Sequence, residues 1–218
     1  MILVEAAVET LETTLAAERA GADRIELCIN LEDGGTTPST GLTAAVVDGT
    51  QLPVFALIRP RAGDFVYTDD EIDLMSRDIE TAGIIGVAGI VTGALTSDYT
   101  VDVEQTRALV KAAAGLAVTF HRAFDSIINK KDALEQLIDL GVTRVLTSGG
   151  APTALDGAEI IAALVDQAAD RITVVAGGGI REQNVSDVVA RTGVREVHTR
   201  FVGERRMRQL VDAVKKKA

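Results

Sequence analysis

Side chains able to do chemistry stand at or just after the short apolar runs of this sequence: Glu5, Glu26, Cys28, Arg59, Arg61, Thr92, His121, Arg122, Ser148 and His198. His121 is suited to general acid or base work at neutral pH, with an ordinary pKa of about 6.5. It equally suits a histidine bonded to a loop carbonyl, and His198 is open in the same way. Glu5 and Glu26 are paired carboxylates that could bind a divalent metal or hold a proton between them. Alternatively each closes a salt bridge, with Arg59 as a natural partner. Arg59 and Arg61 flank Pro60. Two guanidinium groups on a rigid turn suit a carboxylate or phosphate, or they anchor loops by pairing with Asp64 or Asp125. Cys28 could act as a nucleophile or a soft ligand for Cu(I), or simply as a small buried hydrophobe.

Glycine pairs with these groups. Gly149-Gly150 and Gly177-Gly178-Gly179 each follow an apolar run. Backbone N–H groups there can approach an anion closely, so Ser148, Gly149, Gly177 and Gly178 join Arg61, Thr92, Arg122 and His198 as candidate substrate-binding residues. The triple glycine lacks the G-x-G-x-x-G spacing of a dinucleotide fingerprint, and no P-loop is present.

What must position these residues is a regular alternation of β-branched runs with helical patterns. Runs at 2–4, 24–28, 54–58, 87–92, 116–120, 144–147, 172–176 and 196–198 read as strands. Helices are expected at 9–20, in the early forties, at 69–82 closed by Gly83, at 102–114, 130–140, 154–168 and 182–191, and after residue 200. Eight βα units point to an α/β chain folded as a single parallel, eight-stranded (β/α)8 TIM barrel over residues 1–218. In that fold the strand C-termini share one rim, which carries the active site. On this reading Glu5, Glu26, Arg59 and His121 form the catalytic group.

The 218 residues carry a net charge of −10 and a pI of about 4.7. That balance argues against a nucleic-acid partner and against an anionic membrane surface. A single cysteine excludes an internal disulfide and a multi-cysteine zinc site. The first ten residues lack a basic n-region, and no apolar stretch is long enough to span a bilayer, so neither a signal peptide nor a membrane anchor is expected. The closing lysines, Lys215, Lys216 and Lys217, read as a solvated helix end.

Taken together, GADRIELC at 21–28, GGTTPSTG at 34–41, IRPRAGDFVY at 58–67, GIVTGAL at 89–95, TFHRAFD at 119–125, LTSG at 146–149, AGGGI at 176–180 and EVH at 196–198 resemble the CutC family of copper homeostasis proteins. The resemblance implies a barrel fold, a cytoplasmic location, self-association as a homo-oligomer, and a role in copper homeostasis with Cu(I) as the bound ion. In some relatives Cu(I) binding is attributed to cysteines on neighbouring strands, and Cys28 matches the first of them. No second cysteine exists here, so a thiolate pair would need two subunits. The chain also departs from the family after His198, where Thr199 replaces a common Ser and the segment beyond is shorter.

Three functions compete at this level. The resemblance favours copper handling, dependent on Cys28. The residue pattern favours an enzyme acting on a small anionic ligand at the barrel mouth. There His121 or Glu26 would serve as base and Arg59 would stabilise an enolate. The third is a non-catalytic scaffold whose rim charges are structural.

Overall fold

The computed structural model describes residues 2–215. Eight parallel strands close a barrel in chain order, β1 pairing with β8. The elements are β1 (Leu3–Val8), α1 (Leu11–Arg19), β2 (Arg24–Leu27), α2 (Thr40–Gly49), β3 (Val54–Leu57), α3 (Asp69–Ile85), β4 (Gly89–Thr92), α4 (Val103–Ala112), β5 (Ala117–Phe120), α5 (Lys130–Asp139), β6 (Arg144–Thr147), α6 (Ala158–Ala168), β7 (Thr173–Ala176), α7 (Val185–Thr192), β8 (Glu196–Arg200) and α8 (Glu204–Lys215). Short 3-10 turns at Leu31–Asp33 and Arg122–Ser126 follow β2 and β5. No helix among the described residues is long and apolar enough to cross a membrane.

The expected elements are present, with shifted ends. Helix α3 runs past Gly83 to Gly86, which takes a left-handed φ of 101° that glycine adopts without strain. At its start Thr68 and Glu71 form a reciprocal capping box beneath an acidic first turn. Helix α6 begins at Ala158, four residues later than its pattern suggested; bends and turns fill 151–157, and the N-cap Gly157 packs directly on the Ser148 carbonyl. A Cβ at Gly157 would lie 1.9 Å from that oxygen. Lys215 is not a solvated end: its ammonium donates to the Gly21 carbonyl and to Asp23, tying α8 to the α1–β2 turn. Lys216 and Lys217 lie outside the described residues.

Alternation along the strands sorts side chains onto two faces. Val4, Ala6, Val8, Ile25, Leu27, Val54, Ala56 and Ile58 face the helices, within the large core. Cys28, Phe55, Leu57 and Val91 form a second, small cluster inside the barrel. The registers stack the inward residues in layers drawn from alternate strands. Arg24, Gly89, Arg144 and Glu196 form the floor, and Glu5, Phe55, Thr119 and Val175 lie above them. Next come Glu26, Val91, Leu146 and His198, and then Ala7, Leu57, His121 and Gly177 toward the mouth.

Candidate functional site

The barrel floor is ionic. Arg24 donates to Glu5 and, at 2.6 Å, to Glu196, which also accepts from Arg144 at 3.3 Å. Both guanidinium groups lie against the Phe55 ring, at 4.9 and 5.2 Å from its centroid. Gly89 leaves room for that ring, since a Cβ there would stand 2.6 Å from it. Arg24, Arg144, Glu196 and Phe55 are absent from the candidates read in the sequence. The signal for Arg24 and Glu196 was the period-two recurrence of polar, titratable side chains at 24 and 26 and at 196, 198 and 200, in strands with buried residues between them; Arg144 and Phe55 had none.

Directly above this floor, Glu5, Glu26 and His198 converge. Glu5 Oε1 lies 2.8 Å from His198 Nδ1, and Glu26 Oε2 lies 3.7 Å from the same nitrogen. One donor atom from each of the three falls within 4.8 Å of the others. Glu26 Oε2 is buried and has no hydrogen-bond partner. Burial pushes the Glu5 carboxyl up, but His198 and Arg24 outweigh it and hold Glu5 low. Glu26 has no such direct partner, and burial followed by the nearby Glu5 charge leaves it well above the usual carboxylate range. Burial lowers His198, but Glu26 and Glu5 more than reverse this and raise it. These three residues were expected at the rim. They sit inside the barrel instead: β1 runs on to Val8 and β8 to Arg200, which leaves Glu5 and His198 short of the strand ends, and the registers place Glu26 in the layer of His198.

Arg59 and His121 form a separate group. The buried Arg59 guanidinium donates to the carbonyls of Asp33, Gly35 and Gly63, stitching the loops after β2 and β3 together. It pairs with neither Asp64 nor Asp125. His121 Nδ1 accepts the Ala123 N–H at 3.3 Å, so the neutral ring carries its proton on Nε2. Gly93 makes way for this ring: a Cβ there would lie 2.8 Å from Nδ1. Burial, then the Arg59 charge, pulls the His121 pKa down to about 3, so the ring is neutral at neutral pH and only a weak base there. The expected quartet of Glu5, Glu26, Arg59 and His121 is thereby split in two.

A pH signature follows. Below its ordinary pKa of about 6.5 the unfolded chain protonates His121 while the folded chain does not. Stability therefore falls as pH drops from about 6.5 toward 3, by up to about 1.4 kcal/mol per unit. His121→Phe should flatten that acid limb by one proton's worth in urea titrations run at successive pH values. An unchanged slope would mean that His121 already titrates in the fold.

At the rim, the glycine loop after β6 is already filled by Asp125. Its carboxylate accepts from the Ser148 and Gly150 N–H groups, from the Thr147 and Ser148 hydroxyls, and from Arg122 Nε at 2.7 Å. Gly149 N–H turns to the Thr147 hydroxyl at 2.8 Å. The anion nest expected for a substrate phosphate thus holds the chain's own carboxylate, with Arg122 and Ser148 as part of that network. Asp125→Ala should cost about 2–4 kcal/mol in denaturant unfolding, since it strands several donors at once. A loss below about 1 kcal/mol would show that water replaces the carboxylate.

The remaining candidates disperse. Arg61 is spent on Glu71 at 2.6 Å and Asp64 at 3.0 Å, outside the mouth. Thr92 is buried with its hydroxyl unpartnered. Gly177 lines the barrel between Leu146 and His198, and Gly178 lies beside Arg122. Cys28 is wholly buried among Phe55, Leu57 and Val91, and its thiol donates to the Val8 carbonyl. Burial, then Glu26 and Glu9, pushes that thiol far from ionisation. A Cys28 bridge between two subunits is not open to a side chain with 0% exposure.

Fold and site together define a parallel (β/α)8 barrel whose interior carries a nitrogen-and-carboxylate centre over an ionic floor. The chain belongs to the CutC family, whose model matches residues 2–203. A copper homeostasis protein cutC homolog from Homo sapiens is 47% identical over 196 residues, 90% of this chain and 72% of that protein. A family protein CutC from Pasteurella multocida is 45% identical over 202 residues, 93% of this chain and 83% of its own. The crystal structure of a CutC protein from Streptococcus agalactiae superposes with a TM-score of 0.86 at 37% identity, covering 91% of this chain and 98% of that one.

Proposed function

We propose that this chain handles copper at Glu5, Glu26 and His198, as a divalent ion, and not at Cys28 as Cu(I). The name carried by its relatives supplies the ion, and the donor chemistry supplies the place. Cu(I) favours thiolate and thioether ligands, whereas imidazole and carboxylate suit Cu(II) and Zn(II). The buried, protonated Cys28 offers no thiolate, and Met75 and Met207 belong to the outer core. The observation that carries the reading is the unpartnered Glu26 Oε2, 3.7 Å from His198 Nδ1. Neighbouring donors about 2.0–2.2 Å from one ion stand roughly 2.8–3.1 Å apart at the right angles that tetragonal Cu(II) favours, which the 2.8 Å separation of Glu5 from His198 meets and the 3.7 Å separation of Glu26 meets after a small inward shift. Arg24 and the floor hold Glu5 in position from below, as outer partners do in metal sites.

Competition titration separates the sites. Wild type and Cys28→Ala should bind Cu(II) alike with one ion per chain, and neither should hold Cu(I) tightly. Loss of binding in Cys28→Ala alone would return the site to the cysteine.

The second reading is an acid–base enzyme on a small anionic ligand. It is favoured by the 2.8 Å contact that orients His198 on Glu5. It expects Glu26→Gln to abolish turnover of a substrate while leaving no metal affinity to lose. A scaffold role expects neither change.

A further inference from the structure

A buried cation without an anion lies above the metal-handling group, on other residues. Arg59 is 4% exposed, yet no carboxylate stands within ion-pair distance of it among the described residues. Its terminal nitrogens are satisfied by three loop carbonyls, and Asp64, exposed to solvent, feels it only at longer range. Its Nε–H, also buried, has no acceptor. Two further donors share this condition. His121 Nε2, which bears the ring proton, is buried and unpartnered, and the Tyr67 hydroxyl lies against the same guanidinium without a well-formed hydrogen bond to it or to any other group among the described residues. An unneutralised buried charge and unmade buried hydrogen bonds are each costly. Their concentration in one place marks a site whose other half is a ligand.

What lies against Arg59 and His121 is Phe65. Its ring lies 4.9 Å from Arg59 Cζ and 4.8 Å from the His121 ring, on a loop whose neighbours Ala62, Gly63 and Asp64 are exposed. We propose that Arg59 Nε, His121 Nε2 and Tyr67 Oη form a receptor for a small carboxylate, with the Phe65 ring as its cover. One positive charge and three single donors match one carboxylate. A phosphate would call for the backbone nest after β6, and Asp125 fills it.

Acetate and inorganic phosphate are the probes, titrated into the 15N-labelled full chain. The chain has only 2 histidines, so the His121 Nε2 resonance is readily assigned. Acetate should shift it saturably in wild type. Phe65→Ala, which touches no donor, should tighten acetate severalfold. His121→Phe keeps a ring against Phe65 but removes one donor, and should weaken binding about tenfold, as read from the Arg59 Nε–H signal. Arg59→Lys keeps the charge without Nε–H and should weaken it similarly, read from the His121 signal, which covers failure of the His121 variant to fold. The proposal is overturned if neither wild type nor Phe65→Ala saturates with acetate. It is equally overturned if the donor variants bind as well as wild type, or if phosphate saturates the site and acetate does not.

Discussion

Arg24→Met is expected to destabilise the protein by about 3–5 kcal/mol, the largest single effect foreseen here. The substitution keeps most of the stem and its packing on Phe55 but removes the one cation shared by Glu5 and Glu196. Replacing a whole buried ion group by apolar residues can be neutral, but deleting one partner leaves charge uncompensated in the interior. Arg144 still neutralises Glu196 at 3.3 Å, so the greater burden falls on Glu5, which is left with His198 alone. Glu196→Gln should therefore cost less than Arg24→Met. Denaturant unfolding at neutral pH measures both. An Arg24→Met loss under about 1 kcal/mol would mean that Glu5 relaxes by taking a proton, and the floor would no longer count as a rigid support for the centre above it.

The second large effect concerns binding. Glu26→Gln and His198→Gln should each reduce Cu(II) affinity at least about 100-fold, because even outer partners of a metal site typically contribute 10–100-fold. Glu5→Gln should fall between wild type and these two, since Glu5 divides its oxygens between His198 and Arg24. Thermal unfolding of each apo variant must accompany the titration, because a collapsed barrel would lose affinity for an uninteresting reason. A folded Glu26→Gln chain that binds copper as tightly as wild type would remove Glu26 from the centre.

Much of the barrel was legible because β-branched runs and glycine stops alternate without interruption, and that pattern has few solutions. The membership of the centre was partly legible too: Glu5, Glu26 and His198 all stood among the candidates. Their depth was not. Whether a residue sits at the rim or inside depends on where a strand ends and on the shear between neighbours, and sequence gives neither to within two residues. Glu5 belongs to a strand that continues through Ala6, Ala7 and Val8, whose small apolar side chains also suit a helix. Partner choice was likewise hidden. Asp125 was one of two acidic partners open to Arg59, yet Arg59 takes backbone carbonyls, and Asp125 takes Arg122 together with backbone amides and two hydroxyls. Backbone groups carry no sequence signature, so a side chain that pairs with them cannot be read from residue types.

X-ray absorption at the copper edge tests most directly whether the proposed ion sits among nitrogen and oxygen donors inside the barrel. Protein loaded with one equivalent of Cu(II) should show a first shell of nitrogen and oxygen at about 2.0 Å with an imidazole scattering pattern, lost in His198→Gln and unchanged in Cys28→Ala. A sulfur shell near 2.3 Å that disappears in Cys28→Ala would contradict that placement and put copper on the cysteine.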